Sequence, residues 1–159
     1  MFRAGILTLA AVFVAADAAD ENAFKDHANN VDGSVWVGST AKGQKAQLRY
    51  EWILNKRFLK ETWTFYGDTG HILHGIDPVT GKEAAWGFDS GGRVGRGSVS
   101  RPKAGVLVYV ENGHGKFGTY SWRSTTTDLD RDRKRVEIQE NFADGKSFPP
   151  ETIVLTRKK

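Results

Sequence analysis

The stretch AQLRYEWILN, residues 46–55, is the clearest case of a period of two in the chain. Ala46, Leu48, Tyr50, Trp52 and Leu54 are interleaved with Gln47, Arg49, Glu51, Ile53 and Asn55. Successive side chains of a strand point to opposite faces, so a period of two means a strand with one face buried. Similar short runs follow in VWVGST, RFLKETWTFY, HILHGI, EAAWGFD, RVGRGSVS, GVLVYVE, FGTYSWRST, RVEIQENF and ETIVLT. Turn-forming residues separate them, in AKGQ, NK, GDTG, DPVTG, DSGG, RPKAG, NGHG, DLDRD and ADGKSFPP. After Gly33 no segment holds a 3.6-residue period. About ten short strands joined by tight turns predict an all-β antiparallel meander. A flat sheet of that size exposes long edges, and closure into an up-and-down β-barrel removes them. A single barrel over residues 34–159 is therefore the first expectation, and a two-sheet sandwich the second.

The chain ahead of the barrel reads differently. MFRAGILTLAAVFVAADA, residues 1–18, has a basic Arg3, an apolar run and a small-x-small end at Ala16-Asp17-Ala18. That is the pattern of a secretory signal peptide cleaved after Ala18. The apolar run is shorter than the roughly 20 residues a membrane span needs, so no span is expected after cleavage. Residues 19–33, ADENAFKDHANNVDG, form a polar leader or one short helix. The chain has no Cys, which excludes a lipoprotein anchor, disulfides, thiolate metal sites and Cys nucleophiles. An exported chain without cysteine fits a bacterial periplasmic or secreted protein better than a disulfide-stapled one. The net charge is +4, with basic and acidic residues interleaved along most of the chain. A nucleic-acid binder gathers its charge on one face, so nucleic acid is not expected as a partner. Nothing in the sequence fixes an oligomeric state.

Several short motifs echo known chemistry and fail on their surroundings. FDSGG, residues 88–92, resembles the nucleophile run of trypsin-like proteases. A catalytic Ser90 needs a His base and an Asp orienter, and none of His27, His71, His74 and His114 has the context of that base. DPVTGK lacks the first Gly of a phosphate loop and has no helix after it. Asp77 and Asp89 are read as turn-formers, because Asp side chains accept bonds from backbone N–H groups just ahead. GHGKFG, residues 113–118, fits G-x-G-x-x-G, but strand-like GTYSWRSTTT follows it where a dinucleotide fold has a helix. Asn112-Gly113 is instead a hairpin signal. DLDRDRKRVEIQE, residues 128–140, spaces Asp128, Asp130 and Asp132 as a calcium loop does. Arg133 and Gln139 replace its Gly and Glu. It is read as a charged turn.

The candidate ligand-lining residues are Tyr50, Trp52, Glu61, Trp63, His74, Trp86, Phe88, Tyr120, Trp122 and Arg123. Strand alternation requires some of these to be exterior. Small barrels either pack their interior or hold one small ligand, and aromatic side chains serve both. An inward Glu61 or Arg123 needs a partner, since an unpaired buried charge is very costly. Arg96 carries the same interest. His71 and His74, three apart on a strand, point to opposite faces, so no paired metal site is expected. His74, between Ile72 and Ile76 on one face, is the residue that would ligate haem if a haem were held. No set of catalytic residues emerges, and the expected partner is one small apolar or amphipathic molecule. The alternatives are a filled barrel serving as an envelope structural or interaction module, a haem-binding barrel, and a small enzyme.

Three segments carry a family resemblance: YEWILNKRFLK (50–60), GIDPVTGKEAAWGFDSGG (75–92) and RKRVEIQENFADGKSFPPETIVLTRK (133–158). Together they resemble a group of uncharacterised bacterial lipocalin-like domains. These share a W-I-L strand leading into R-F-L, a G-x-D-P-x-T-G-K hairpin, a W-x-F-D-S-x-G strand and a last strand ending in Arg. The resemblance covers most of the chain after Gly33 and implies a calycin-type barrel, often secreted. It brings no catalytic residues. Some members follow a ketosteroid-isomerase-type domain, to which no stretch here corresponds.

Overall fold

The computed structural model describes residues 18–116, 118–142, 145, 147 and 149–159, with side chains from residue 21 onward. Residues 1–17 of the expected signal peptide lie outside the described residues. One helix, α1 (Ala18–Val31), is followed by ten strands. These are β1 (Val35–Ser39), β2 (Lys45–Ile53), β3 (Phe58–Phe65), β4 (Asp68–Ile76), β5 (Glu83–Asp89), β6 (Val94–Lys103), β7 (Val106–Gly115), β8 (Gly118–Asp130), β9 (Arg133–Phe142) and β10 (Glu151–Arg157). Every neighbouring pair is antiparallel, and β1 pairs with both β2 and β10. The sheet thus closes into a barrel without a free edge, as the meander predicts.

Register sets what points inward. Trp36, Leu48 and Trp63 stand level on β1, β2 and β3, and Tyr50, Glu61 and Ile72 stand level on β2, β3 and β4. The inner face alternates small and large residues around the ring. Gly70, Gly87, Gly95, Gly97 and Gly113 face in, and each leaves room for a neighbour's large side chain. A Cβ on Gly70 would run into the Trp63 indole, one on Gly95 into Glu111, and one on Gly113 into the Tyr120 ring. Small barrels fill their taper in this way.

The Gly113 contact explains a difference from the sequence reading. Asn112-Gly113 is not the turn; β7 continues to Gly115, where it pairs with Gly118. Gly113 serves close packing against Tyr120, and the hairpin signal at Asn112-Gly113 is overridden by it. The turn at Tyr66-Gly67 takes positive φ at both positions, 55° and 87°, the combination two-residue hairpins favour.

The polar leader is a helix. Phe24, Ala28 and Val31, spaced four and three apart, are almost completely buried with Trp36, Leu48, Tyr50 and Leu59. That spacing is one helical face. Alanines and polar residues occupy the rest of α1, so the period is too sparse to stand out. Backbone and side chains pin the helix across one end of the barrel. The Gly33 and Tyr50 N–H groups bond the Tyr50 and Ser34 carbonyls, and Asp32 accepts from the Trp52 N–H at 3.0 Å. Among the described residues no helix is long and apolar enough to cross a membrane.

Candidate functional site

The interior is divided into two chambers. Trp63 on β3 and Trp122 on β8 stack across the lumen, 6.4 Å between ring centroids and 16° from parallel. With Ile72 and Tyr109 they border both chambers. One chamber lies under α1 and the other lies away from it.

The far chamber holds a charged network. Arg93 donates to Asp89 and to Glu140, and its guanidinium lies over the Tyr120 ring at 5.4 Å. The hydroxyls of Tyr109 and Tyr120 donate to the two oxygens of Glu111. Burial pushes the Glu111 carboxyl above its ordinary range, with the Tyr120 hydrogen bond working the other way. Burial raises Glu140 too, against the pull of Arg93. One guanidinium therefore balances several carboxylates, and each polar group here has a partner.

The helix chamber is less satisfied. Its wall includes His27, Tyr50, Glu61, His74, Ser124 and Lys134, with Trp63, Trp122, Leu107 and Ile138 as its apolar part. His74 is 3 % exposed. Its Nε2 lies 3.6 Å from Glu61 Oε2 and has no hydrogen-bond partner. Lys134 is 4 % exposed, with Nζ 3.6 Å from Asp128 Oδ1 and 4.5 Å from the centroid of the Trp36 ring. Burial lowers the Lys134 pKa, opposed by Asp128 and Glu61. Burial also lifts the Tyr50 hydroxyl well above its usual value, and Glu61 adds to this. The cavity of this chamber is small, about 30 Å³. That is room for a water or two.

His27 on α1 carries a pH consequence. Loss of water, then the charges of Arg101 and Lys134, push its pKa down to about 3. The unfolded chain takes up this proton near pH 6.5, the folded chain only near 3. Its contribution is complete above pH 6.5 and is lost as the pH falls towards 3. Urea midpoints from pH 7 to 4 are expected to fall less steeply in His27→Gln than in the parent. Parallel curves would show that His27 stays solvated.

Of the residues singled out in the sequence, Tyr50, Glu61, Trp63, His74 and Trp122 line the helix chamber, and Tyr120 the far one. Trp52 lies at the rim beneath α1, edge-on to Phe24, its indole N–H donating to Asn29. Trp86 and Arg123 are corrected to the outer face. Trp86 is level with Leu73 and Arg96 and meets Phe58 edge-on. Phe88 borders the far chamber where β5 ends, but its side chain alternates with inward Gly87 and Asp89 and is 43 % exposed. Arg123 alternates with inward Trp122 and Ser124 and is exposed. Arg96 also lies outside, bonded to Asp77.

Asp77 and Asp89 do form turns, accepting from the N–H groups of Val79 and Gly91. Ser90 bonds Asp68 and the Thr69 N–H rather than a histidine. Asp130 pairs with Arg133 in the β8–β9 turn, and among the described residues no three acidic or His side chains are placed to hold a metal ion.

No family model matches the chain. No curated protein matches it either. Among solved structures it is similar to EF1p2_mFAP2b bound to DFHBI, at 12% identity and TM-score 0.37, covering 83% of this chain and 95% of that one. It is also similar to a de novo designed fluorescence-activating β-barrel, at 15% identity and TM-score 0.34, covering 84% of this chain and 98% of that one.

Proposed function

We propose that the barrel binds one small amphipathic molecule in the helix chamber, its polar head among Tyr50, Glu61, His74 and Lys134 and its apolar body against Trp63 and Trp122. The observation that carries this is the buried His74 Nε2, which sits in the chamber wall without a hydrogen-bond partner. A barrel filled for stability alone gains nothing from burying Glu61, His74 and Lys134 together, because each ionisable group loses its hydration there. A ligand group that bonds His74 restores what burial removed.

A ring-sized occupant requires Trp63 to part from Trp122, which joins the two chambers. Typical ligand sites enclose about 300 Å³ or more, so binding and this movement go together. p-Cresol, a single ring with one hydroxyl, tests the reading. Titrated into the protein, it is expected to change tryptophan fluorescence saturably, with a dissociation constant of about 1 mM or tighter. A flat titration contradicts the proposal. The small free space favours a second reading, a filled barrel that acts through its surface as a structural or interaction module, and the flat titration is what that reading expects.

We also propose that the protein is exported. Residues 1–18 support this by their pattern, as does the resemblance to lipocalin-like domains. Cleavage after Ala18 would remove only the first residue of α1. Mass spectrometry of protein recovered from an exporting bacterial host should show a chain beginning at Ala19. An intact Met1 would contradict export by cleavage.

A further inference from the structure

Lys134 stands apart from the other polar groups of the helix chamber because it is a buried primary amine. It follows Arg133 at the start of β9, where register turns it inward between Asp128 on β8 and Leu155 on β10. The Trp36 and Tyr50 rings lie 4.5 and 5.6 Å from Nζ. The only carboxylate within ion-pair reach among the described residues is Asp128, at 3.6 Å, and Asp128 is itself half exposed, so the pair is loose. On an ordinary protein surface a lysine is almost wholly protonated at neutral pH. Here removal from water favours the free amine. Glu61 and His74, 3.6 Å apart on the same wall, are a carboxylate and an imidazole able to pass protons.

We propose that Lys134 is a nucleophile that forms a reversible imine with a small aldehyde admitted to the helix chamber. The Nζ lone pair adds to the carbonyl carbon, the nitrogen loses a proton, and the carbonyl oxygen gains one, giving a carbinolamine. The proton that the ammonium gave to the Glu61–His74 pair on becoming the free amine then goes to the hydroxyl, which leaves as water while the nitrogen lone pair closes the C=N bond. The product is a protonated imine, so one cation replaces another. Its partners, Asp128 and the Trp36 ring, are those the ammonium already has. Water is the only by-product, and no oxidant or reductant is consumed.

The inference rests on the helix chamber admitting small molecules, and its test separates the two. p-Tolualdehyde has the shape of p-cresol with a carbonyl in place of the hydroxyl. The protein is incubated with it at pH 7, reduced with sodium borohydride to fix any imine, and mapped by peptide mass spectrometry. Lys134 is expected to be labelled several-fold faster than any exposed lysine, because removal from water favours its free amine. p-Cresol is expected to slow labelling at Lys134 and not elsewhere. Lys134→Met, and Lys134→Arg in case the first does not fold, should lose the fast label. Labels spread over exposed lysines with Lys134 untouched, in a protein that binds p-cresol, overturn the imine and leave the chamber reading standing. No label at Lys134 and no p-cresol binding overturn both.

Discussion

Arg93→Met is expected to destabilise the barrel by about 3–5 kcal/mol, the range for removing one partner of a buried ion pair. Arg93 donates to both Asp89 and Glu140, whose side chains are 6% and 10% exposed. Methionine fills much of the same space but leaves both buried carboxylates without the guanidinium that bonds them. Glu111 and Glu140 already hold their protons more tightly than an exposed carboxyl because of burial. The sign of the pH dependence follows. A carboxyl whose folded pKa is raised binds more protons folded than unfolded, so stability declines as the pH rises above the ordinary carboxylate value. Without Arg93 this decline steepens. Denaturant melts of Arg93→Met should show the largest deficit at neutral pH and a smaller one near pH 5, and Glu140→Gln added to it should recover part of the loss. A deficit below about 1 kcal/mol at pH 7, the value typical of an exposed pair, would mean that the far chamber is open to water.

Gly95→Val is expected to cost a comparable amount by a different route. Gly95 faces inward from β6, and a Cβ there would run into the Glu111 side chain. Glu111 then has to leave the hydroxyls of Tyr109 and Tyr120. Overpacking a well-filled core costs about 1–3 kcal/mol, and a buried acceptor stripped of its donors adds about 1–3 kcal/mol more. Gly92→Ala serves as the contrast. Nothing lies within 4 Å of a Cβ on Gly92, but its φ is +80°, so the penalty is one of backbone conformation alone. That is on the order of 1 kcal/mol. Equal melting temperatures for the two variants would show that the inward glycines are not packing sites.

The barrel was legible because its signal is periodic. AQLRYEW alternates from Ala46 to Trp52, whereas Leu54, expected on the same buried face, falls in the turn after β2 and is 68% exposed; the same alternation places Leu59, Glu61, Trp63 and Phe65 on one face of β3, which does point inward. Inward or outward is a single choice per strand, however, and one sequence does not make it for a strand with aromatics. EAAWGFD offers Trp86 and Phe88 on one face and Ala85, Gly87 and Asp89 on the other. Bulk alone favours burying the aromatics. The structure buries the small face because Tyr109 and Glu111 from β7 need the space above Gly87, Gly95 and Gly97. That is a property of three strands together. Lys134 was concealed differently. It shares a face with Val136 and Ile138, a visible pattern, but it sits in a run of Arg133, Lys134 and Arg135 that reads as a solvated turn. His27 was masked by the weak period of α1.

Ser124 places a test inside the helix chamber. It lines the wall beside Tyr109 and Trp122 and faces inward from β8, so Ser124→Leu fills the space beside Trp122 that the ligand's apolar body would occupy while leaving the barrel's circular dichroism intact. The direct measurement is a p-cresol titration of the parent and of Ser124→Leu by calorimetry at equal concentration. One site per chain in the parent and none in the folded variant is the predicted result. No binding by the parent, or the same binding by both, would place no ligand in this chamber.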